Sequence, residues 1–323
     1  MKKTYLQAVT DALDCAMGAD PDVVIIGEDV GVYGGGMGAT RGLLEKYTSS
    51  RVIETPISET AFTGAAVGCA LLGMRPVVEI IFSDFTSLAV DPIVNHAAKF
   101  RFMSAGTMRV PMVIRTPLGA GTGAAAQHSQ SVENMFLNVP GLTVLAPSDA
   151  YDAKGLLISA IELDDPVVFF EHKKCYPMEG EVPEGTYRVS IGKADIKKQG
   201  RDISIISYSR MSCTALEAAY LLEKDGISAE VVDLRSLRPL DVQTIAESVM
   251  KTRRALIVTE APVFGGFSGE LESVVYETAG SGLLCPVRRL GGEEMPVAYS
   301  ESIESQQIPN AEKIIKTVKE MLT

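Results

Sequence analysis

Short apolar runs alternate with helical patterns through the first half of this 323-residue chain. The runs have the continuous apolar character of buried strands and lie at residues 23–27, 52–53, 76–82, 110–115, 142–146 and 166–171. Segments with helical spacing or helix-start signals lie around and between them, at residues 5–17, 59–73, 85–102, 128–138 and 149–163. Repeated strand–helix units predict an α/β fold with a parallel sheet and helices on both faces.

From Lys173 to Gly200 the sequence becomes polar and contains prolines, which is typical of a linker, here with a small hairpin. A second α/β block follows, with strands at residues 203–207, 229–234, 255–259 and 286–289 and helices at 213–224, 242–250, 269–278 and 311–322. The sequence therefore predicts two α/β domains, at residues 1–175 and 201–323, joined by a linker at residues 176–200.

The composition excludes several classes of function. A net charge of −11 makes nucleic acid an unsuitable partner, although it leaves room for a basic protein. No apolar run reaches the length of a membrane span. The five cysteines are scattered without a CxxC pair, which argues against zinc and a disulfide framework and favours a reducing cytoplasm.

A glycine-rich stretch, GEDVGVYGGGMG, follows the first strand and invites a dinucleotide-binding interpretation. The fit is poor because no GxGxxG opens a helix directly from the strand, and the acidic Glu28 and Asp29 precede the glycines. A mobile loop, or one covered by a partner, is the better interpretation.

Residues 51–73 combine a short strand, a turn and a small-sided helix for which Ser58 is a suitable N-cap. Gly64 and Gly68 in this helix suggest close backbone packing, since glycine costs about 1 kcal/mol relative to alanine there. Glu59 is the one ionisable residue that enters the helix. Its carboxylate must be paired, hydrated or used; the alternative is that it only favours the helix N-terminus.

Several long motifs, in the same order along the chain, resemble the β subunit of thiamine-diphosphate-dependent 2-oxo acid dehydrogenases: GEDVG, RVIETPISE, AAKFRFM, PMVIRTPLGAG, AAAQHSQS, PGLTVLAPSDAYDAKGLL and DPVVFFEHK. This subunit belongs to the decarboxylase component of the pyruvate, branched-chain oxo acid and acetoin dehydrogenase complexes. The resemblance runs from Lys3 to Thr323, and the string EHKKCYPMEGEVP favours the acetoin or pyruvate members. It implies a pyrimidine-binding domain followed by a transketolase C-terminal-like domain.

The resemblance implies a role for Glu59 in binding thiamine diphosphate. The matching glutamate hydrogen-bonds a pyrimidine ring nitrogen and favours the imino tautomer that activates the cofactor. Phe85 matches an aromatic residue that packs against the aminopyrimidine, although a core aromatic at a helix start is the alternative. Phe82 and Ile57 are further candidates for lining this pocket.

Of the three histidines, His128 in AQHSQ matches the family's active-site histidine, which is implicated in substrate handling and in acyl transfer to the lipoyl group. The alternative is a helix-start histidine that bonds backbone groups. His96 matches no known motif and is expected to be structural, and His172 is expected to be peripheral. Glu59, Phe85, residues 119–123 and His128 all follow strands and are expected to share one rim of the sheet.

A potassium site is also implied by the resemblance, since relatives hold the ion with backbone carbonyls. The matching residues are Met112, Ala160, Ile161, Leu163 and Asp165. A carbonyl-lined turn suits a hard cation, but the same turn is also consistent with an ordinary helix C-terminus.

The family binds the cofactor diphosphate through Mg²⁺ held by a GDG motif, and no GDG occurs in this sequence. The resemblance therefore implies an α subunit that supplies this half of the site in an α₂β₂ heterotetramer. It also implies docking to a lipoyl-bearing acyltransferase core, for which Glu293 and Glu294 are candidate acidic contacts.

The expected function is that of a β subunit that, with its α subunit, decarboxylates a 2-oxo acid or cleaves acetoin and reductively acylates a lipoyl group. Pyruvate and acetoin are the favoured substrates. Two alternatives remain open at this stage: a transketolase-like subunit that transfers ketol groups, and a non-catalytic scaffold that only binds a partner.

Overall fold

The structure, a computed structural model, describes all residues from Met1 to Thr323. It divides into two compact units. The first consists of Met1–Leu118 and Met135–Ile191, and the second of Gly119–Asn134 and Gly192–Thr323. The segment between Gly119 and Asn134 thus groups with the C-terminal half, whereas the first domain predicted from the sequence, residues 1–175, includes it.

The first unit is built on a parallel sheet. Its strands are β1 (Lys2–Thr4), β2 (Val23–Gly27), β3 (Val52–Glu54), β4 (Arg75–Glu79), β5 (Val113–Leu118), β6 (Thr143–Leu145), β7 (Val167–His172) and β8 (Glu179–Glu181). Its α-helices are α1 (Tyr5–Ala19), α2 (Leu43–Tyr47), α3 (Glu59–Leu71), α4 (Ala98–Met103), α5 (Asn134–Leu137) and α6 (Ala150–Glu162). Six strands pair in parallel in the order β6-β7-β5-β4-β2-β3, which confirms the predicted architecture.

Buried side chains of α1 and α6 form the core on one side of this sheet, together with Ile25, Val77 and Phe169 of the strands. Helix α6 begins where the sequence predicted, because the Asp149 carboxylate accepts the backbone N–H of Asp152. No helix of the chain combines the length and the apolar composition that a membrane crossing requires.

Two helix predictions are confirmed only in part. Residues 85–102 do not form one helix; a 3₁₀-helix (Ser83–Ala89) and a π-helix (Pro92–Ala97) precede α4. Pro92 begins the π-helix and has no N–H to donate to the preceding turn, which explains the change in helix type there. The helix expected at residues 128–138 is limited to α5, so His128 does not begin a helix.

The segment after β7 also differs from expectation. No hairpin forms within the predicted linker; instead β8 pairs antiparallel with β1, so that Lys2 lies opposite Glu181. His172 is the last residue of β7 and is 1% exposed, with its Nδ1 accepting the N–H of Lys174. The expectation that His172 is peripheral is therefore wrong.

The second unit contains strands β9 (Asp195–Lys198), β10 (Ile203–Ser207), β11 (Ala229–Asp233), β12 (Ser236–Arg238), β13 (Ala255–Pro262) and β14 (Arg288–Gly292). Its helices are α7 (Ser209–Lys224), α8 (Val242–Thr252), α9 (Phe267–Ala279), α10 (Glu301–Gln307) and α11 (Ala311–Leu322). A five-stranded sheet runs in the order β14-β13-β10-β11-β9, with only β9 antiparallel. The four predicted strands are confirmed, and α11 has the predicted bounds.

Candidate active site

Glu59 is the first residue of α3, where the chain turns back from the carboxyl end of β3. Ser58 occupies the N-cap position, but its side chain makes no capping hydrogen bond; its carbonyl accepts the N–H of Ala61 and of Phe62. Glu59 is 5% exposed. The structure shows no hydrogen bond or ion pair to its carboxylate. Its oxygens are not fully enclosed and no protein group bonds them, so this carboxylate is available to a ligand.

Glu28 directly follows β2 and is also 5% exposed. Burial raises the pKa of Glu28, and the charges of Glu59, Asp29 and Glu79 raise it further. One of its carboxylate oxygens is buried without a hydrogen-bond partner. Glu28 is not among the site residues predicted from the sequence, although a carboxylate directly after a buried strand is a signal of such a residue.

The aromatic pair Phe82 and Phe85 lies just beyond β4. The two half-buried rings meet edge to face, with centroids 5.9 Å apart and planes at 90°. The 3₁₀ turn that follows β4 sets this arrangement, since the Phe85 N–H donates to the Phe82 carbonyl. Ile57, in the turn before α3, is 79% exposed. The structure thus brings Phe82 and Phe85 together and leaves Ile57 at the surface of the unit.

The glycine-rich loop after β2 is held by carboxylates. Glu54 accepts the N–H groups of Gly31 and Val32 at 3.1 and 3.2 Å, and Glu79 accepts that of Gly36 at 3.0 Å. Gly35 has φ +86°, and a Cβ there would lie 2.6 Å from a Glu79 oxygen. These three amides already bind carboxylates and are therefore not free to bind a phosphate group.

Glu79 is itself fixed by a buried ion cluster centred on Arg115, whose side chain is 2% exposed. The guanidinium donates to Glu79 at 2.9 Å and forms a two-point bond with Glu171 at 2.7 and 2.9 Å. The Tyr176 hydroxyl also donates to Glu171, at 2.8 Å. A planar guanidinium matches this fork geometry, and the cluster anchors the loop to β5 and β7.

The region predicted to bind potassium is engaged by an arginine. Nη1 of Arg75 donates to the carbonyls of Ile161 and Leu163 at 3.1 and 3.2 Å, and Nη2 donates to Asp164 at 2.8 Å. The hydrogen bond from Arg75 lowers the pKa of Asp164, so that this carboxylate stays charged beside the guanidinium.

The other predicted potassium ligands also have protein partners. The Met112 carbonyl accepts the N–H of Val167 at 2.9 Å, and the Ala160 carbonyl accepts that of Leu163 at 3.3 Å. The Asp165 carboxylate pairs with Arg101, whereas the predicted ligand of this residue is its backbone carbonyl. In this arrangement the Arg75 guanidinium lies between the Ile161 and Leu163 carbonyls, and its positive charge disfavours a potassium ion at these two oxygens.

His128 lies in the second unit, in the irregular segment between Gly119 and Asn134. The His128 side chain is half-buried, and the backbone N–H of His128 donates to the Ala125 carbonyl at 3.3 Å. A cavity of about 430 Å³ is lined by Ser129, Gln130 and Ser131 of this segment and by residues 292–297. The segment and the cavity are both built within the second unit.

The chain matches two known domain models. Residues 1–179 match the transketolase pyrimidine binding domain, and residues 192–314 match the transketolase C-terminal domain. The chain is 42% identical to the β subunit of an acetoin:2,6-dichlorophenolindophenol oxidoreductase from Bacillus subtilis, over 98% of this chain and 96% of the relative. It is 43% identical to the 2-oxoisovalerate dehydrogenase β subunit of the same organism, over 98% of each chain. The chain belongs to the family of β subunits of 2-oxo acid and acetoin dehydrogenases.

Other members of this β-subunit family are equally similar. A mitochondrial pyruvate dehydrogenase E1 component subunit beta-2 from Oryza sativa is 45% identical, over 98% of this chain and 85% of the relative. A solved structure described as a split gene transketolase, inactive beta4 tetramer, aligns with a TM-score of 0.80 over 98% of this chain and 97% of that one, at 24% identity. These matches confirm the family and the fold predicted from the sequence motifs.

Proposed function

We propose that this β subunit supplies the pyrimidine-binding half of a thiamine diphosphate site in a 2-oxo acid or acetoin dehydrogenase. The observation that carries the proposal is the carboxylate of the largely buried Glu59, which has no protein partner at the start of α3. A carboxyl group can share a proton with a ring nitrogen of an aminopyrimidine and so select its imino tautomer. When bound, the cofactor supplies the carbanion chemistry.

In this proposal Phe85 and Phe82 orient the pyrimidine ring through their faces and edges, a contribution of about 0.5–1.5 kcal/mol per aromatic contact. Ile57, which is exposed in this chain, extends the apolar lining. His128 holds or moves protons of the substrate and of the lipoyl group, the role for which an imidazole suits neutral pH. Glu59 sets the tautomer, and His128 handles substrate protons.

We further propose that the protein works with an α subunit, as an α₂β₂ heterotetramer in which the α subunit holds Mg²⁺ and the cofactor diphosphate. Large apolar side chains on the first unit support a partner surface: Leu72 and Phe102 are 88% exposed, and Met103 is 71% exposed. Gly64 and Gly68 lie on the exposed side of α3. A Cβ at either position would have no atom within 4 Å other than the nearby backbone of the helix itself. Any close packing against them would therefore involve another chain.

The proposed reaction is tested by co-expressing the chain with an α subunit of the same component and adding thiamine diphosphate and Mg²⁺. Dye reduction is then followed with acetoin, pyruvate and a branched-chain 2-oxo acid. Turnover of one of them supports the proposal and identifies the substrate, with pyruvate or acetoin expected. An assembled, cofactor-bound tetramer that turns over none of them, but transfers a ketol group to an aldehyde, would contradict it.

Docking of the acyltransferase core is proposed at the exposed Glu293 and Glu294. We expect the double change of both residues to Lys to weaken binding of the core's basic subunit-binding domain at least tenfold in calorimetry, because like charges then face each other. The same change at the exposed Glu301 and Glu312 of α10 and α11 is the control. Equal binding by both double variants would contradict the proposed surface.

Replacement of potassium by sodium is expected to leave turnover and Tm of the assembled enzyme unchanged, because Arg75 already supplies the positive charge at the Ile161 and Leu163 carbonyls. Arg75→Met is expected to lower stability by about 1–3 kcal/mol through unsatisfied polar groups, and potassium but not sodium should recover part of that loss. Arg109→Met is the control, since Arg109 pairs with Asp164 from a side chain that is 60% exposed. A wild-type enzyme that requires potassium would contradict this prediction.

A further inference from the structure

Two buried glutamates of the second unit bind the segment that carries His128. Glu304 in α10 is 1% exposed, and Glu260 in β13 is 9% exposed. Neither residue was singled out from the sequence as a site residue. Both carboxylates are directed at backbone or hydroxyl donors between Gly119 and Asn134, which makes them structural supports of that segment.

Glu304 accepts two backbone N–H groups on the N-terminal side of His128, from residues that are separated by one position. Its Oε1 accepts the N–H of Gly121 at 2.7 Å, and its Oε2 accepts the N–H of Gly123 at 3.0 Å. These glycines have φ +94° and +66°, conformations that other residues rarely adopt. No lysine, arginine or histidine forms an ion pair with Glu304, so the two N–H bonds are its only compensation for burial.

Glu260 forms hydrogen bonds with residues near both ends of the segment. Its Oε1 accepts the N–H of Ala120 at 2.7 Å and the hydroxyl of Ser131 at 3.2 Å. Beyond Ser131, the Tyr208 hydroxyl donates to Glu133. His128 therefore lies between anchored points on both sides, although its own stretch of chain has no regular secondary structure.

We infer that Glu304 and Glu260 are positioning residues that fix His128 for the reaction, through the backbone of residues 119–134. The inference rests on the proposed role of His128. A side chain on an irregular segment keeps a defined position only if its backbone is held, and a displacement of about 1 Å can cost about 100-fold in rate. Two charge-assisted anchors are a sufficient means of holding it.

The experiment is a double-mutant cycle on the assembled, cofactor-loaded enzyme. Glu304→Gln, His128→Ala and the double variant are compared in lipoyl-dependent turnover. The amide side chain replaces one acceptor oxygen by a donor, so one glycine N–H loses its partner. We expect Glu304→Gln to lower kcat by about tenfold or more with little change in KM, and to add no further loss in the His128→Ala background beyond about twofold. Glu301→Gln, an exposed change in the same helix, is the control and should match wild type.

Three results would overturn the inference: full activity of Glu304→Gln, losses that multiply in the double variant, or an equal loss in the Glu301 control. If His128→Ala alone keeps full turnover, the proposed role of His128 fails, and any loss in Glu304→Gln must have another cause. If Glu304→Gln reduces assembly or Tm, the same cycle is run with Glu260→Gln. Glu260 is one of the residues that line the cavity. Multiplying losses in that cycle would overturn the inference equally.

Discussion

Glu59→Gln is expected to lower turnover by at least about 100-fold while the assembly with the proposed α subunit stays intact. The amide has nearly the shape of the carboxyl group, so the start of α3 keeps its packing. It cannot share an acidic proton with a pyrimidine nitrogen, so the tautomer is no longer selected. Turnover by dye reduction and assembly by light scattering are measured on the same sample.

The matched control is Glu45→Gln, because Glu45 also lies in the first turn of a helix, α2, but is exposed. If a negative charge in a first helical turn were all that mattered, the two variants would behave alike, each changed by about 0.3–1 kcal/mol in stability only. Normal turnover of the Glu59 variant would remove this residue from the mechanism.

Arg115→Met is expected to cost about 3–5 kcal/mol of stability, because it leaves the buried carboxylates of Glu79 and Glu171 without their cation. Both carboxylates lie within 2.9 Å of the guanidinium in the native cluster. Because Glu79 also accepts the N–H of Gly36, we expect the glycine-rich loop after β2 to become more susceptible to proteolysis. Urea unfolding gives the free energy, and limited proteolysis reports on the loop.

The control for this change is Arg188→Met. Arg188 forms a two-point bond with Glu162 at 2.5 and 2.6 Å, but these side chains are 60% and 43% exposed. Solvent screens such a pair, and its loss is expected to cost at most about 1 kcal/mol. If the two substitutions lower the free energy of unfolding by similar amounts, burial does not govern the strength of the Arg115 cluster.

Much of the fold was predictable because its signals are local. Continuous apolar runs identified the central strands, and Asp149 identified the start of α6. Edge strand β9 was missed because its residues, DIKK, are mostly polar, as is common at a sheet edge. Residues 85–102 are helical as predicted, but the helix type changes along them, and from Pro92 the chain adopts a π-helix that a 3.6-residue pattern does not represent.

The site was predictable only where chemistry followed a motif. Glu59 is a carboxylate at a helix start and belongs to TPISE, so both pattern and resemblance singled it out. Glu260 accepts a hydrogen bond from the amide of Ala120, 140 residues away in the sequence. Glu304 accepts one from the amide of Gly121, 183 residues away. No local pattern relates positions so far apart. The same is true of Arg75, which donates to the carbonyl of Ile161, 86 residues away in the sequence.

The membership of residues 119–134 in the second unit has a consequence for engineering hybrid enzymes. A crossover placed only at Gly192, the intuitive junction between domains, would join the His128 segment of one parent to the carboxylate anchors of another. Hybrids that exchange the C-terminal half should therefore import residues 119–134 from the same donor as Glu260 and Glu304. The transplantable module of this protein is discontinuous in sequence.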